Sequence, residues 1–228
     1  MVWPDLRGQY AAGVLLAFDT ATPLVSVALH DGQSVVAERL SVAPMKHGEQ
    51  LAPLIEAALA DVGVDQRALT KIAVGTGPGP FTGLRVGLVT ARTLGHVLAL
   101  PVVGVCTLDV IAVEVVATTP SADLADGFLV ATDARRKEVY AAAYDSHGRR
   151  VSGPDVGPAA EVATGRPVAG VGPVLFPASF PRAIGPERPS AGWLARAVVG
   201  GLIELTGPEP RYLRRPDATS PGTPKRVS

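Results

Sequence analysis

Four stretches of the chain carry residue types and spacings that could do chemistry. In Phe18-Asp19-Thr20-Ala21-Thr22 a carboxylate and two hydroxyls follow an apolar run. That arrangement can hold a metal-bound phosphate, or it can simply end a strand and fix a turn. Ala21 bears on the choice, because a turn that cradles phosphate needs its backbone close to the anion, and a Cβ impairs that approach. The loop Gly75-Thr76-Gly77-Pro78-Gly79-Pro80-Phe81-Thr82-Gly83-Leu84-Arg85 lacks the Gly-Lys-Ser/Thr ending of a P-loop. Its prolines also remove amides that would bind a pyrophosphate. Thr82 can cap a following helix, and an anion could sit at that helix start; the alternative is a rigid turn. His47-Gly48-Glu49 is half of a metal-binding helix motif, but position i+4 is Leu51, so no zinc helix forms. In Asp133-Ala134-Arg135-Arg136-Lys137-Glu138-Val139-Tyr140 the two acids could bind a metal. Its cations Arg135, Arg136 and Lys137 could contact phosphate, of a nucleotide or of tRNA; the bland reading is a solvated hairpin turn. No Gly-x-Ser-x-Gly elbow or local serine–histidine arrangement is present. Cys106 follows a buried-type strand and is expected to pack as a small hydrophobe.

The elements that must position these residues follow from periodicity. Val14 to Asp19, the alternating Val25, Val27 and Leu29, and the run from Val35 read as a β-meander with an Asp31-Gly32 hairpin turn. Leu51, Leu54, Ile55, Ala58, Leu59 and Val62 mark one helix face, with Pro53 in the first turn and Gly63 at the end. Lys71 to Thr76 is a strand, Phe81 to Leu98 a helix, Val102 to Cys106 a strand, and a third helix capped by Thr107 runs to about Ala117. The polar segment Thr118 to Asp126 breaks the pattern. Phe128 to Asp133 and Val139 to Tyr144 then form a hairpin, and Ala191 to Leu205 a late helix. The expected organisation is an N-terminal extension (1–13), an N-terminal lobe (14–118), a smaller C-terminal lobe (119–215) and a tail (216–228). Each half opens with a strand ending in Asp and followed by a hairpin, a weak internal symmetry.

Composition excludes several classes. The chain has 228 residues, 47% hydrophobic and 18% charged, which is incompatible with disorder throughout. Lys plus Arg equals Asp plus Glu at 21 each, so the bulk charge gives no support to tRNA binding by this chain alone. A single cysteine excludes an internal disulfide. No apolar run reaches the length of a membrane span, and the first residues do not read as a secretory signal, so a cytoplasmic location is expected.

Taken together, Leu16-Ala-Phe-Asp-Thr-Ala-Thr, Ser26-Val-Ala-Leu, His47-Gly-Glu-Gln-Leu-Ala-Pro-Leu-Ile, the loop from Gly75 to Gly87, Ala131-Thr-Asp-Ala-Arg-Arg-Lys-Glu-Val-Tyr and Glu209-Pro-Arg-Tyr-Leu-Arg resemble the bacterial TsaB (YeaZ) family. The resemblance covers about residues 14 to 215, and the glycine–proline loop is its most specific element. It implies an α/β, two-lobed actin/Hsp70-like (ASKHA, ribonuclease H-like) fold with a truncated second lobe. In that superfamily the turn after the first strand usually reads Asp-x-Gly-Thr and holds a metal-bound phosphate. Asp19, Thr20 and Asp133 would then be vestigial nucleotide-binding positions. The family also implies a non-catalytic accessory subunit of the machinery that places threonylcarbamoyl on adenosine 37 of tRNA. Its partners are the catalytic paralogue TsaD and the ATPase TsaE, with tRNA reached through the complex and a homodimer formed when the partner is absent. It would have no cofactor, catalytic residue or metal of its own, ATP and a metal ion being held by partner subunits.

The partner surface implied by the resemblance lies on the two N-terminal helices. Gly83, Gly87, Ala91 and Gly95 form a small-residue stripe that permits close helix approach, to a partner or to the chain's own sheet. Arg85, Val86, Val89, Thr90 and Thr93 are expected to border the partner contact. Two other readings compete. One is a stand-alone actin-like ATPase or glycoprotease-like metallopeptidase, dependent on Asp19 and Asp133. The other is direct tRNA binding through Arg135, Arg136 and Lys137 with Arg211, Arg214 and Arg215.

Overall fold

The computed structural model describes residues 13–41 and 46–214. The expected tail, Arg215 and all of the expected extension except Gly13 lie outside them. Strands β1 (Val14–Asp19), β2 (Ser26–His30) and β3 (Val35–Leu40) form the meander. Helix α1 (His47–Val62) leads to β4 (Leu69–Gly75), then α2 (Phe81–Leu98), β5 (Val102–Val105) and α3 (Thr107–Thr118). The first sheet has the order β3-β2-β1-β4-β5, antiparallel through the meander and parallel from β1 onward.

β1 is buried along its whole length, and this explains its unbroken apolar run. Successive side chains point to opposite faces. Val14, Leu16 and Phe18 join α1 and α2 on one side, while Leu15 and Ala17 meet Val110 of α3 and a later helix on the other. The Asp31-Gly32 turn forms as expected, with Asp31 Oδ1 accepting the amides of Gln33 and Ser34.

The chain then builds a second sheet from β6 (Phe128–Asp133), β7 (Glu138–Tyr144), β8 (Arg150–Pro158) and β9 (Val168–Ala169), in the order β8-β7-β6-β9. This repeats the first four positions of the first sheet, with β6 standing where β1 stands. The fourth strand is cut to two residues and nothing takes the place of β5. The fold is therefore the two-lobed actin/Hsp70-like α/β arrangement with a truncated second lobe. A short helix, α4 (Gly172–Leu175), follows β9, and α5 (Ala191–Val199) returns to the first sheet beside α3. Helix α3 is the wedge between the sheets. Val110 faces the first, while Leu108, Ile111, Ala112 and Val115 face Phe128, Val130 and Tyr144 of the second. Burial on nearly every side is why this helix shows no apolar stripe.

Four local expectations change. The late helix, expected to run to Leu205, stops at Val199 with Gly200 as its C-cap. α1 begins at His47, so Pro53 falls in the second turn rather than the first. The N-cap of α2 is Pro80, and Thr82 makes no cap. Thr107 is the first residue of α3, whose N-cap is Cys106.

Candidate functional site

Asp19 ends β1 at the centre of the first sheet and is 2% exposed. Its Oδ1 accepts the Ala21 amide at 2.6 Å and its Oδ2 accepts the Thr107 hydroxyl at 2.7 Å. Thr107 in turn accepts the Gly77 amide at 3.2 Å and donates its own amide to Gly77 O at 2.9 Å. One acid thus joins the end of β1, the start of α3 and the glycine–proline loop. Burial raises the Asp19 carboxyl above the usual carboxylate range, against the pull of the Ala21 amide, the Thr107 hydroxyl and the His47 charge.

The loop and α2 fill the space over the Thr20–Ala21 turn. A Cβ at Gly75 would overlap the Asp19 carboxylate, one at Gly79 the Ala21 carbonyl, one at Gly83 the Thr20 carbonyl and one at Gly87 the Thr20 hydroxyl. Thr20 Oγ1 donates to Gly83 O at 2.8 Å. The small-residue stripe of α2 is therefore spent on the chain's own turn and, at Gly95, on Val102. Of the two uses considered for it, the stripe makes its close approach to the chain itself, at the turn after β1 and at β5.

The histidine of the half metal motif is engaged by the chain's own backbone. His47 Nε2 lies 2.7 Å from Thr22 O, so this nitrogen carries a proton and its lone pair is committed to the ring. Among the described residues no group of three or more His, Cys, Asp or Glu side chains could hold an ion.

Asp133, the matching acid of the second sheet, sits in a different setting. Its Oδ1 accepts the Arg135 amide at 2.7 Å, and its Oδ2 lies 3.3 Å from the Arg135 guanidinium. Arg135, Arg136 and Lys137 all take left-handed backbone angles, with φ of 64°, 54° and 63°. Each such residue costs roughly 1–2 kcal/mol. The hairpin tip faces Pro80 and Phe81 across a cavity of about 180 Å³, which Tyr140, Tyr212 and Arg214 also line. Asp133, Arg135 and Arg136 border this cavity; Asp19 and Thr20 are not in its lining. The structure thus brings the second-sheet residues to the start of α2 and keeps the first-sheet pair sealed beneath the loop.

Sequence reasoning missed the segment that closes this region. Thr206 pairs with Gly104 at the edge of β5, the Arg211 amide donates to Thr76 O at 2.9 Å, and Arg214 pairs with Glu138 at the hairpin. Arg92 holds Glu209 at 3.0 Å and Pro208 O at 2.6 Å. Residues 206–214 therefore strap the first sheet, α2 and the second sheet together. A second missed feature lies beneath the strap. The Tyr144 hydroxyl donates to Asp109 Oδ1 at 2.7 Å, with Arg150 at 3.6 Å. Burial raises both Asp109 and Tyr144. The sequence offered Glu209-Pro-Arg-Tyr-Leu-Arg only as a motif of the resemblance, with no sign of what it binds, and it gave no signal that pairs Asp109 with Tyr144.

The outward face of α2 carries Arg85, Val89 and Thr93, exposed, with Val86 and Thr90 half-buried at its flanks. Val89 is 61% and Val97 70% exposed. Arg85 lies over the Phe81 ring at 3.7 Å from its centroid, and Tyr212 meets the same ring at 4.7 Å. One end of the apolar strip is therefore walled by a fixed aromatic and cationic rim.

Comparison with known proteins places this geometry. Residues 41–172 match the family profile described as "TsaD: tRNA N6-adenosine threonylcarbamoyltransferase". An uncharacterized protein of Mycobacterium tuberculosis is 43% identical over 90% of this chain and 93% of its own length. The tRNA threonylcarbamoyladenosine biosynthesis protein TsaB of Escherichia coli is 35% identical over 57% of this chain and 54% of its own length. The solved YeaZ from Pseudomonas aeruginosa is 28% identical, with a TM-score of 0.71 over 88% of this chain and all of that one. The profile spans more than half of the sequence, and the same two-lobed arrangement recurs in YeaZ. The chain accordingly belongs to the TsaD family of tRNA N6-adenosine threonylcarbamoyltransferases, as a TsaB/YeaZ-like member.

Proposed function

We propose that this chain works in tRNA threonylcarbamoyladenosine biosynthesis as a non-catalytic accessory subunit, binding and activating a TsaD-type catalytic subunit. The observation that carries this reading is the turn after β1. Its acid is buried and committed to Ala21 and Thr107, and its backbone is covered by Gly79, Gly83 and Gly87. A turn so occupied has no room for the phosphate that a catalytic relative would hold there. The work left to the chain is to present a surface, and the strip Arg85, Val86, Val89, Thr90 and Thr93 on α2 supports that role. ATP and the metal ion would reside on the partner subunits, with TsaE joining the pair. tRNA would be met through the complex, with Arg135, Arg136 and Lys137 of the hairpin tip as the phosphate contacts; the first two line the cavity. In the absence of its partner the chain would pair with a second copy through the same helix face. A cytoplasmic setting goes with this function. No helix among the described residues is long and apolar enough to cross a membrane.

The test is threonylcarbamoyl transfer to tRNA from threonine, bicarbonate and ATP with the other purified components, with this chain present or omitted. Loss of product on omission, with no ATPase or peptidase activity in the chain alone, is the expected result. Undiminished product without the chain would move the assignment to a stand-alone ATPase or metallopeptidase.

A further inference from the structure

The cavity of about 180 Å³ between the start of α2, the hairpin tip and the strap is unevenly charged. Arg135, Arg136 and Arg214 border it against one acid, Asp133. That acid is met within its own turn, by the Arg135 amide at 2.7 Å and the Arg135 guanidinium at 3.3 Å. Even with Glu138, which pairs with Arg214, guanidiniums outnumber carboxylates here among the described residues.

The start of α2 adds to this excess. Its N-cap, Pro80, makes no side-chain cap, and the amides of Phe81 and Thr82 meet no acceptor among the described residues. Orphaned amides at a helix start favour an anion. An independent observation comes from the second sheet. Tyr140 of β7 is 6% exposed and lines the cavity, yet its hydroxyl has no hydrogen-bond partner among the described residues. Tyr144 on the same strand shows the ordinary outcome, giving its hydroxyl to Asp109 at 2.7 Å. A buried phenol without an acceptor carries its desolvation cost uncompensated. The unmet groups around this space are therefore donors, beside guanidinium forks whose geometry matches phosphate oxygens. The volume equals that of about six waters, enough for a phosphoryl group and part of its carrier.

We propose that this cavity binds a phosphoryl group, carried by a free nucleotide or by an RNA strand. The Tyr140 hydroxyl and the first amides of α2 donate to its oxygens, and the arginines supply the countercharge. The site lies apart from Asp19 and Thr20, which do not line it. It shares the hairpin tip with the tRNA contacts proposed above but needs no partner subunit.

The test is calorimetric titration of the purified chain with inorganic phosphate, AMP and a short RNA oligonucleotide at fixed ionic strength, with the melting temperature as a second readout. Saturable binding is expected, weakened about fivefold in Tyr140→Phe. The melting temperature of the free variant should not fall, since no hydrogen bond is lost. Arg136→Gln should weaken binding too. Arg182→Gln, on a separate recess beside Asp123 and Asp126, should leave it unchanged. Tighter binding of AMP assigns the phosphoryl group to a free nucleotide, and tighter binding of the oligonucleotide to an RNA strand; either supports the site. Binding of no probe would overturn it. So would an affinity that acetate matches, or one that Tyr140→Phe and Arg136→Gln both leave intact. If Tyr140→Phe lowers the melting temperature, Arg136→Gln decides alone. No partner is present in this experiment, so its failure leaves the outcome of the transfer assay untouched.

Discussion

Asp19 joins a strand end, a turn and a helix start through two oxygens, so its truncation should cost far more than a surface acid would. Asp19→Ala leaves the Ala21 amide and the Thr107 hydroxyl without their buried acceptor, a loss of about 2–4 kcal/mol. A urea melt measures it, and a change under about 0.5 kcal/mol would mean the network is not formed. Cys106 is the residue-scale counterpart in reactivity. It is 2% exposed, and burial, followed by the Asp109 charge, pushes its thiol up to about 11. At pH 8 only about one molecule in a thousand is then thiolate. A thiol reagent should label it at the rate of unfolding, whereas rapid labelling of folded protein would show the site to be open. The sequence draws attention to Asp19 and the glycine loop, because a strand-terminal acid and a proline-studded turn are local patterns. It does not reveal Thr107 as the partner. That bond spans 88 positions and depends on β5 lying beside β4.

Helix α2 is the element on which a docking role stands or falls. Val89→Glu with Thr93→Glu should abolish association with a TsaD-type partner and leave the far-ultraviolet circular dichroism unchanged, since both positions are exposed, Val89 to 61%. Pull-down at full strength with both charges in place would exclude this face. The rim that walls the strip can be weakened separately. Tyr212→Ala removes the ring contact with Phe81 and the 3.4 Å contact with the Arg85 Nε, and should lower stability by about 1 kcal/mol in a thermal melt. No loss would mean the strap is held elsewhere. The bounds of α2 are legible because leucines recur with the helical period from Phe81 to Leu98. The start of α1 is not, since His47 to Gln50 carry no apolar repeat. Small residues announce close packing, but the sequence has no means of saying against what. The answer, Thr20 and the Ala21 carbonyl, comes from tertiary structure alone.

On the scale of the whole molecule, the strands divide between two sheets but the helices do not follow them. α5 covers Leu15, Ala17, Ala73 and Val105 on the first sheet although it comes after the second. A fragment ending at residue 118 should therefore expose that cluster, bind a hydrophobic dye and melt without cooperativity. A sharp melt with no dye binding would make the first lobe independent. The repeat of strand–hairpin–strand was visible as two acids at strand ends, whereas the return of α5 was not. A weakly patterned stretch of Pro and Gly separates it from β8, and periodicity carries no information across such a gap. The sealed turn has a further consequence, which concerns inheritance. Gly79, Gly83 and Gly87 are each held to hydrogen at Cα by an atom of Thr20 or Ala21, so neither segment can vary unless the other does. Restoring glycine at position 21 would leave the neighbours that fill the cradle in place, and enlarging any of those glycines would drive the turn out of register before a ligand could use the space. A turn packed shut from both sides is thereby not reopened by a single substitution in either segment.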